Sequence, residues 1–173
     1  MDEASSNPPG PTKGRTSVER KSDREIVVTR TFNAPARIVF EAWTNAELFK
    51  QWWVPKSLGM TLRSCELDVR TGGKYRLVFG DDPAKTMAFF GRYLDVVPNQ
   101  RIVWTNEEGG PDGSVTTVTF EEKNGQTMLV MSELYPTKEA LDAAGTGAQE
   151  AMTETFGQLD ELLASLAATA APS

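Results

Sequence analysis

The side chains that could do chemistry in this sequence are carboxylates, guanidinium groups, tyrosines and one thiol. The chain contains no histidine and a single cysteine. Histidine is the usual general base near neutral pH and the commonest metal ligand. Its absence excludes Ser-His-Asp and Cys-His catalysis, together with the zinc and iron sites that depend on imidazole or on several thiolates. We therefore expect no resident metal ion, no cofactor and no identifiable catalytic residue.

One acidic and one basic residue form the clearest polar pair in the sequence. Asp68 and Arg70 lie two positions apart in the segment CELDVRTGGKYR, just before Gly72-Gly73. If this segment is a strand, the two side chains share one face of the sheet. They would then form either a structural ion pair at the end of the strand or a site that polarises a ligand carbonyl or carboxylate. Cys65, in the same segment, is expected to be a small structural side chain.

Tryptophan is concentrated in residues 39–55, VFEAWTNAELFKQWWVP, which carry three of the four tryptophans in the chain. An indole ring is apolar but its N–H needs a partner, so this cluster predicts a core, a pocket entrance or a surface for another protein. Trp52 and Trp53 point about 100° apart on a helix, so at most one of them can be fully buried. We predict that Trp53 is the more buried, because it follows Trp43 by ten residues, nearly three helical turns. Trp52 is then expected at the mouth of a pocket.

Apolar and aromatic residues alternate along several segments and could line a cavity. Tyr75, Leu77 and Phe79 fall on one face of a predicted strand, and methionines add side chains that adapt to irregular shapes. The same residues could instead fill an ordinary core, and the pattern leaves both possibilities open. The candidate ligand-binding residues are Phe40, Trp43, Trp52, Trp53, Asp68, Arg70, Tyr75, Leu77, Phe79, Phe89, Trp104, Phe120, Met131, Met152 and Phe156.

Length and charge limit the classes of protein that fit. The chain has 173 residues, enough for one domain, and a net charge of −6. Nucleic acids and anionic membranes require a basic surface, so we expect neither as a partner. No apolar run approaches the ~18 residues of a membrane span, and we expect a cytoplasmic protein. Residues 1–22, rich in Pro, Ser, Gly and charge, predict a disordered tail before a folded domain at residues 23–167 and a flexible end at residues 168–173.

Hydrophobic periodicity gives the order of the elements in the first two thirds of the chain. Glu25 to Phe32 is rich in β-branched residues and predicts a strand. Two short helices follow, the first capped by Asn33 and the second spanning Asn45 to Trp53. Alternation of period two then predicts six further strands: Met60 to Arg70, Lys74 to Phe79, Thr86 to Val97, Arg101 to Asn106, Val115 to Lys123 and Thr127 to Leu134.

The connections and the last third of the chain predict the architecture. Asn124-Gly125 between two alternating runs is a strong signal for a tight hairpin. Thr137 to Ala144 predicts a short helix, and a long amphipathic helix follows from about Ala148. We therefore predict an α+β fold in which a curved antiparallel sheet wraps around the long C-terminal helix and encloses a cavity against it.

The order and spacing of these elements resemble the helix-grip fold of the START/Bet v 1-like superfamily. More narrowly, the chain is similar, from about Arg24 to Leu166, to the family named after the carboxy-terminal domain of the activator of Hsp90 ATPase. The matching pieces are Arg30, Phe32, Ala34-Pro35, Val39-Phe40, Ala42-Trp43-Thr44, Leu48, Trp52-Trp53, Asp68, Arg70, Gly72-Gly73, Tyr75-Arg76, Gly91-Arg92-Tyr93, Val96 to Pro98, Arg101 to Thr105, Val118-Thr119-Phe120 and Gly125-Gln126-Thr127.

Three functions are compatible with this resemblance. The first is a single-domain protein that holds a small hydrophobic or amphipathic molecule between the sheet and the C-terminal helix. The second is an interaction domain that acts like an Hsp90 co-chaperone, with another protein as the partner. The third is a metal-free enzyme of the cyclase or dehydratase type, which the superfamily also contains. We rank the binding protein first, because the sequence shows no pattern that singles out a reaction.

Overall fold

One antiparallel sheet organises the part of the chain that the structure describes. The computed structural model describes residues 16–54, 56–59, 61–80, 82, 84–107, 113–145 and 148–170. Within these residues eight strands lie in the order β1-β2-β8-β7-β6-β5-β4-β3. The strands are β1 (Ser17–Arg20), β2 (Glu25–Phe32), β3 (Leu62–Leu67), β4 (Lys74–Phe79), β5 (Met87–Val97), β6 (Arg101–Thr105), β7 (Val115–Lys123) and β8 (Gln126–Leu134). The predicted α+β fold with a curled antiparallel sheet is confirmed.

A tight turn joins β7 to β8 and sets the register of the two strands. Asn124 and Gly125 both have positive φ, at 55° and 79°. This conformation matches the right-handed twist of a hairpin and favours the Asn-Gly pair. Lys123 consequently pairs with Gln126, and the ladder continues to Val115 opposite Leu134.

The long C-terminal helix begins at Ala148, as predicted, and the three shorter helices begin one or two residues later than predicted. The helices are α1 (Ala36–Thr44), α2 (Ala46–Trp52), a short 3-10 turn (Lys56–Leu58), α3 (Lys138–Gly145) and α4 (Ala148–Ala170). The prediction that Asn33 caps α1 is wrong, because Pro35 occupies the cap position and lacks a side-chain acceptor. The Glu122 carboxylate of β7 instead accepts the Ala36 N–H at 2.9 Å.

A single residue separates the two short helices. Asn45 has an extended backbone (φ −93°, ψ 117°), ends α1 and begins α2. Its side-chain oxygen accepts hydrogen bonds from the N–H groups of Glu47 at 2.9 Å and Leu48 at 3.3 Å. The chain therefore bends sharply here, because a capping asparagine in extended conformation cannot continue the helix before it.

The long helix α4 holds the end of α2 in place. The Gln158 side-chain amide donates to the carbonyls of Trp52 at 3.0 Å and Val54 at 2.9 Å. The Gln158 oxygen accepts the Lys56 N–H at 2.8 Å. Backbone groups that the end of α2 leaves unpaired are thus satisfied by one side chain of α4.

The apolar face of α4 packs on the core, as the periodicity predicted. Phe156, Leu159 and Leu163 are buried, with Met152 and Leu166 half-buried beside them. The described helices include none that is long and apolar enough to cross a membrane.

Strand β1 lies inside the segment that composition assigned to a disordered tail, so that assignment is wrong for Ser17–Arg20. These residues pair antiparallel with Ile26–Thr29 of β2 at one edge of the sheet. An edge strand needs backbone partners more than apolar side chains, which is why composition did not predict it. The predicted tail residues 1–15 lie outside the described residues. In the predicted flexible end, residues 168–170 belong to α4 and residues 171–173 lie outside the description.

Candidate functional site

A cavity of about 250 Å³ lies between the inner face of the sheet and helices α1 and α2. Aromatic rings form most of its wall, and they come from both helices and from three neighbouring strands, β4, β5 and β6. The lining residues are Trp43, Phe49, Trp53, Leu67, Tyr75, Leu77, Phe79, Phe89, Tyr93, Ile102, Trp104, Asn106 and Glu133. Seven of the residues predicted from the sequence therefore line it: Trp43, Trp53, Tyr75, Leu77, Phe79, Phe89 and Trp104.

The prediction for the tryptophan pair is reversed. Trp52 is 0% exposed and its indole N–H donates to the Ala42 carbonyl at 2.9 Å. Trp53 is half-buried and lines the cavity. The prediction treated α1 and α2 as one aligned helix, but the bend at Asn45 changes the direction of α2. One tryptophan is nevertheless core and the other faces the cavity, as their 100° separation requires.

Trp43 connects the core to the cavity. Its ring lies 4.8 Å from the ring of Trp52 and 5.9 Å from that of Trp104, measured between centroids. Trp43 is buried, and its indole N–H has no hydrogen-bond partner among the described residues. A buried N–H left without an acceptor costs about 1–3 kcal/mol, which the packing of the indole ring against its neighbours must offset.

Helix α4 contributes none of its described side chains to the cavity wall, which corrects the predicted location between sheet and C-terminal helix. Phe156 is fully buried, with its ring 5.7 Å from Phe32 and 6.3 Å from Trp43. Met152 is half-buried against the same core. The inner end of α4 is therefore packed, and the empty space lies under the two short helices.

Three other predicted residues also belong to the core. Phe40 packs edge-on against Phe120 with ring centroids 5.5 Å apart. Met131 is buried on β8 and pairs with Val118 of β7. None of these side chains lines the cavity within the described structure.

Asp68 and Arg70 form an ion pair on the surface and take no part in the cavity. The Arg70 Nε lies 3.0 Å from the Asp68 carboxylate, with the two side chains 71% and 53% exposed. Strand β3 ends at Leu67, so the period-two argument did not apply to them. The turn that follows is tight, since a Cβ on Gly73 would lie 2.0 Å from the Asp68 carbonyl oxygen. Of the two interpretations of Asp68 and Arg70, the structure therefore agrees with a structural ion pair and not with a ligand site.

One end of the cavity carries a network of polar groups. The Tyr75 hydroxyl donates to the Thr105 carbonyl at 2.7 Å and lies 3.2 Å from Asn106 Oδ1. The Asn106 amide donates to Ser114 Oγ and Thr116 Oγ1, both at 3.0 Å. Ser114 Oγ in turn donates to Glu133 Oε2 at 2.7 Å. Asn106 and Glu133 thus reach the cavity as members of a connected network rather than as isolated side chains.

Sequence reasoning missed six lining residues, namely Phe49, Leu67, Tyr93, Ile102, Asn106 and Glu133. For Glu133 a signal existed, because Leu129, Met131 and Glu133 alternate along β8 and therefore face the same side. An acidic residue in an inward-facing series is unusual and marks a candidate site. No comparable local signal distinguishes Phe49 or Ile102 from ordinary core residues. The described residues contain no cluster of three or more His, Cys, Asp or Glu that could hold a metal ion.

The thiol of Cys65 is half-buried on β3, and burial raises its pKa to about 11. At pH 8 only about 0.1% of such a thiol is in the reactive thiolate form. We therefore expect Cys65 in the folded protein to react roughly a hundredfold more slowly with Ellman's reagent than the same cysteine in the unfolded chain. Comparing the rates with and without denaturant measures this ratio, and equal rates would contradict it.

The fold and the cavity define a helix-grip protein of the START/Bet v 1-like type. The family model described as "Activator of Hsp90 ATPase homolog 1-like protein" matches residues 33–164, and the chain belongs to that family. No relative was found among curated proteins.

Several solved structures share the fold. A Rhodobacter sphaeroides protein is 24% identical, with a TM-score of 0.80, and the alignment covers 88% of this chain and 99% of that one. A Staphylococcus epidermidis protein solved by NMR is 28% identical, with a TM-score of 0.72 and coverage of 87% and 94%. An Aeromonas hydrophila protein described as AHSA1-like is 15% identical, with a TM-score of 0.68 and coverage of 86% and 98%.

Proposed function

We propose that the protein binds a small hydrophobic or amphipathic molecule in the cavity between helices α1 and α2 and the inner face of the sheet. The observation that carries the proposal is the aromatic wall around about 250 Å³ of empty space. Sites for small molecules are concave and mostly apolar, with a few polar groups that fix orientation. The cavity has both features, and its volume suits a compact ligand of one or two rings.

The surroundings of the cavity support its interpretation as a binding site rather than as a packing defect. A well-packed core contains few voids larger than a water molecule. Here the neighbouring core is dense, since Trp52, Phe32 and Phe156 are fully buried within it. The cavity also contains a polar network at one end, formed around Asn106 and Glu133. These polar groups could orient a bound molecule.

Filling the cavity with a side chain is expected to weaken binding. We expect the neutral dye N-phenyl-1-naphthylamine to bind the natural protein saturably, with enhanced dye fluorescence. Leu67→Trp places a larger side chain in the wall and should weaken binding at least roughly tenfold. Leu94→Trp is the matched control, because Leu94 is exposed and does not line the cavity.

The two variants separate a cavity effect from an effect of the added indole. Thermal melting should show that both variants are folded. The proposed function fails if the natural protein shows no saturable binding, or if Leu67→Trp and Leu94→Trp bind the dye equally well.

A further inference from the structure

The cavity changes from aromatic to acidic along one row of paired residues. Tyr93 pairs with Trp104, Trp104 with Thr116, and Thr116 with Glu133, across strands β5, β6, β7 and β8. Directly paired residues point to the same face of the sheet. Neighbouring strands are ~4.8 Å apart, so Glu133 lies two strands, about 10 Å, from Trp104. A molecule of one or two rings can therefore contact the aromatic wall and reach the carboxylate at the same time.

Glu133 is held in position by its neighbours. Its Oε2 accepts the Ser114 hydroxyl at 2.7 Å, and Ser114 is buried. Burial, with the negative charge of Glu133 as a second cause, raises the pKa of the nearby Tyr135 hydroxyl. A carboxylate has about four lone-pair positions, so an ammonium group of a ligand can donate to Glu133 alongside the donors of the protein.

The aromatic wall also favours positive charge. The faces of Trp and Tyr rings attract cations placed over them, and the attraction grows when water is excluded. Tyr75, Tyr93 and Trp104 lie in that wall, and the tilted rings of Tyr75 and Tyr93 are 5.7 Å apart. The net charge of −6 adds a long-range field that draws cations toward the protein. A ligand that carries a carboxylate would instead be repelled by the ring faces and by the net negative charge of the protein.

We propose that the ligand is a cationic amine on a compact apolar ring system, with its ammonium group at Glu133 and its rings against the aromatic wall. This inference rests on the proposed function, because it requires that the cavity binds a small molecule. The charge-assisted hydrogen bond from the ammonium group to Glu133 supplies orientation, and the rings supply most of the buried apolar area.

Three probes that share one ring system test this inference. We would titrate the protein by calorimetry with 2-naphthylmethylamine, 2-naphthylmethanol and 2-naphthoate, which carry a cation, a neutral donor and an anion. The amine is expected to bind at least tenfold more tightly than the carboxylate, with the alcohol between them. The indole N–H signal of Trp43 in NMR spectra should shift on binding, which places the probe in the cavity.

Two variants identify Glu133 as the source of the preference. Glu133→Gln keeps the acceptor for Ser114 but removes the charge, and it should reduce the preference for the amine to less than threefold. Glu133→Asp keeps the charge and should retain most of the preference. Glu121→Gln is the matched control, because Glu121 is exposed on β7 and its loss changes the net charge equally. That control should bind like the natural protein.

The possible outcomes distinguish this inference from the proposed function. The proposal of a cationic ligand is overturned if the three probes bind equally, if the carboxylate binds more tightly, or if Glu133→Gln leaves the preference unchanged. In each of these cases the proposal of a binding cavity still stands. If no probe and no neutral dye binds, both proposals fail.

Discussion

Replacing Trp52 by alanine is expected to lower the free energy of unfolding by about 3–5 kcal/mol, the usual cost of removing a large buried aromatic ring. Trp52 is fully buried, donates to the Ala42 carbonyl, and packs within 5.3 Å of the Phe49 ring. Trp53→Ala is the matched comparison one residue away. Since Trp53 is half-buried at the cavity, its loss should cost about 1–2 kcal/mol. Denaturant melts of the two variants measure the difference.

A third variant separates packing from hydrogen bonding in this prediction. Trp52→Phe keeps an aromatic ring but leaves the Ala42 carbonyl without its donor. We expect a loss between those of Trp53→Ala and Trp52→Ala, because part of the ring volume and one hydrogen bond are removed. Trp53→Ala should weaken binding of the neutral dye, whereas Trp52→Phe should not. Equal losses of stability in both alanine variants would contradict the assignment of core and cavity roles.

Removing Asp160 is expected to destabilise the protein by about 3–5 kcal/mol, because it leaves a buried guanidinium group without its counter-charge. Arg30 on β2 donates to Asp160 Oδ2 of α4 at 3.2 Å, and the two side chains are 2% and 15% exposed. Arg30 also donates to Thr16 Oγ1 at 2.8 Å. The pair therefore fixes α4 to the sheet and to the start of β1, and Asp160→Ala breaks this connection.

The exposed pair on the same protein provides the control. Asp68→Ala removes the partner of Arg70 at the surface, where such pairs contribute about 0–1 kcal/mol. The double variant Arg30→Met with Asp160→Leu should recover most of the loss, because it removes both charges and leaves apolar side chains of similar size. Urea melts of the three variants test this. A similar small effect of Asp160→Ala and Asp68→Ala would show that the buried pair does not hold α4.

The sequence by itself determined the helices and strands from β2 to α4 and their order, but not β1. Alternation of period two predicted β4 and β7 with their observed bounds, because strand side chains alternate between a buried and an exposed face. The positive φ angles of Asn124-Gly125 were implied by the residue types alone. The aromatic character of the cavity was also visible, since seven predicted residues line it. These properties depend on the conformational preferences and hydrophobic pattern of short segments, which can be read from each segment alone.

Only the tertiary structure decided which aromatic residues are core and which border the empty space. The roles of Trp52 and Trp53 depend on the bend at Asn45, which sets the direction of α2. They also depend on Gln158 of α4, over a hundred residues away, whose side-chain amide donates to the Trp52 carbonyl. Glu133 reaches the cavity because the two strands between it and Tyr93, β6 and β7, pair with their neighbours in one register. Local periodicity predicts which side chains share a face. How deeply each face is buried, and where a cavity remains, depends on how distant elements pack against one another.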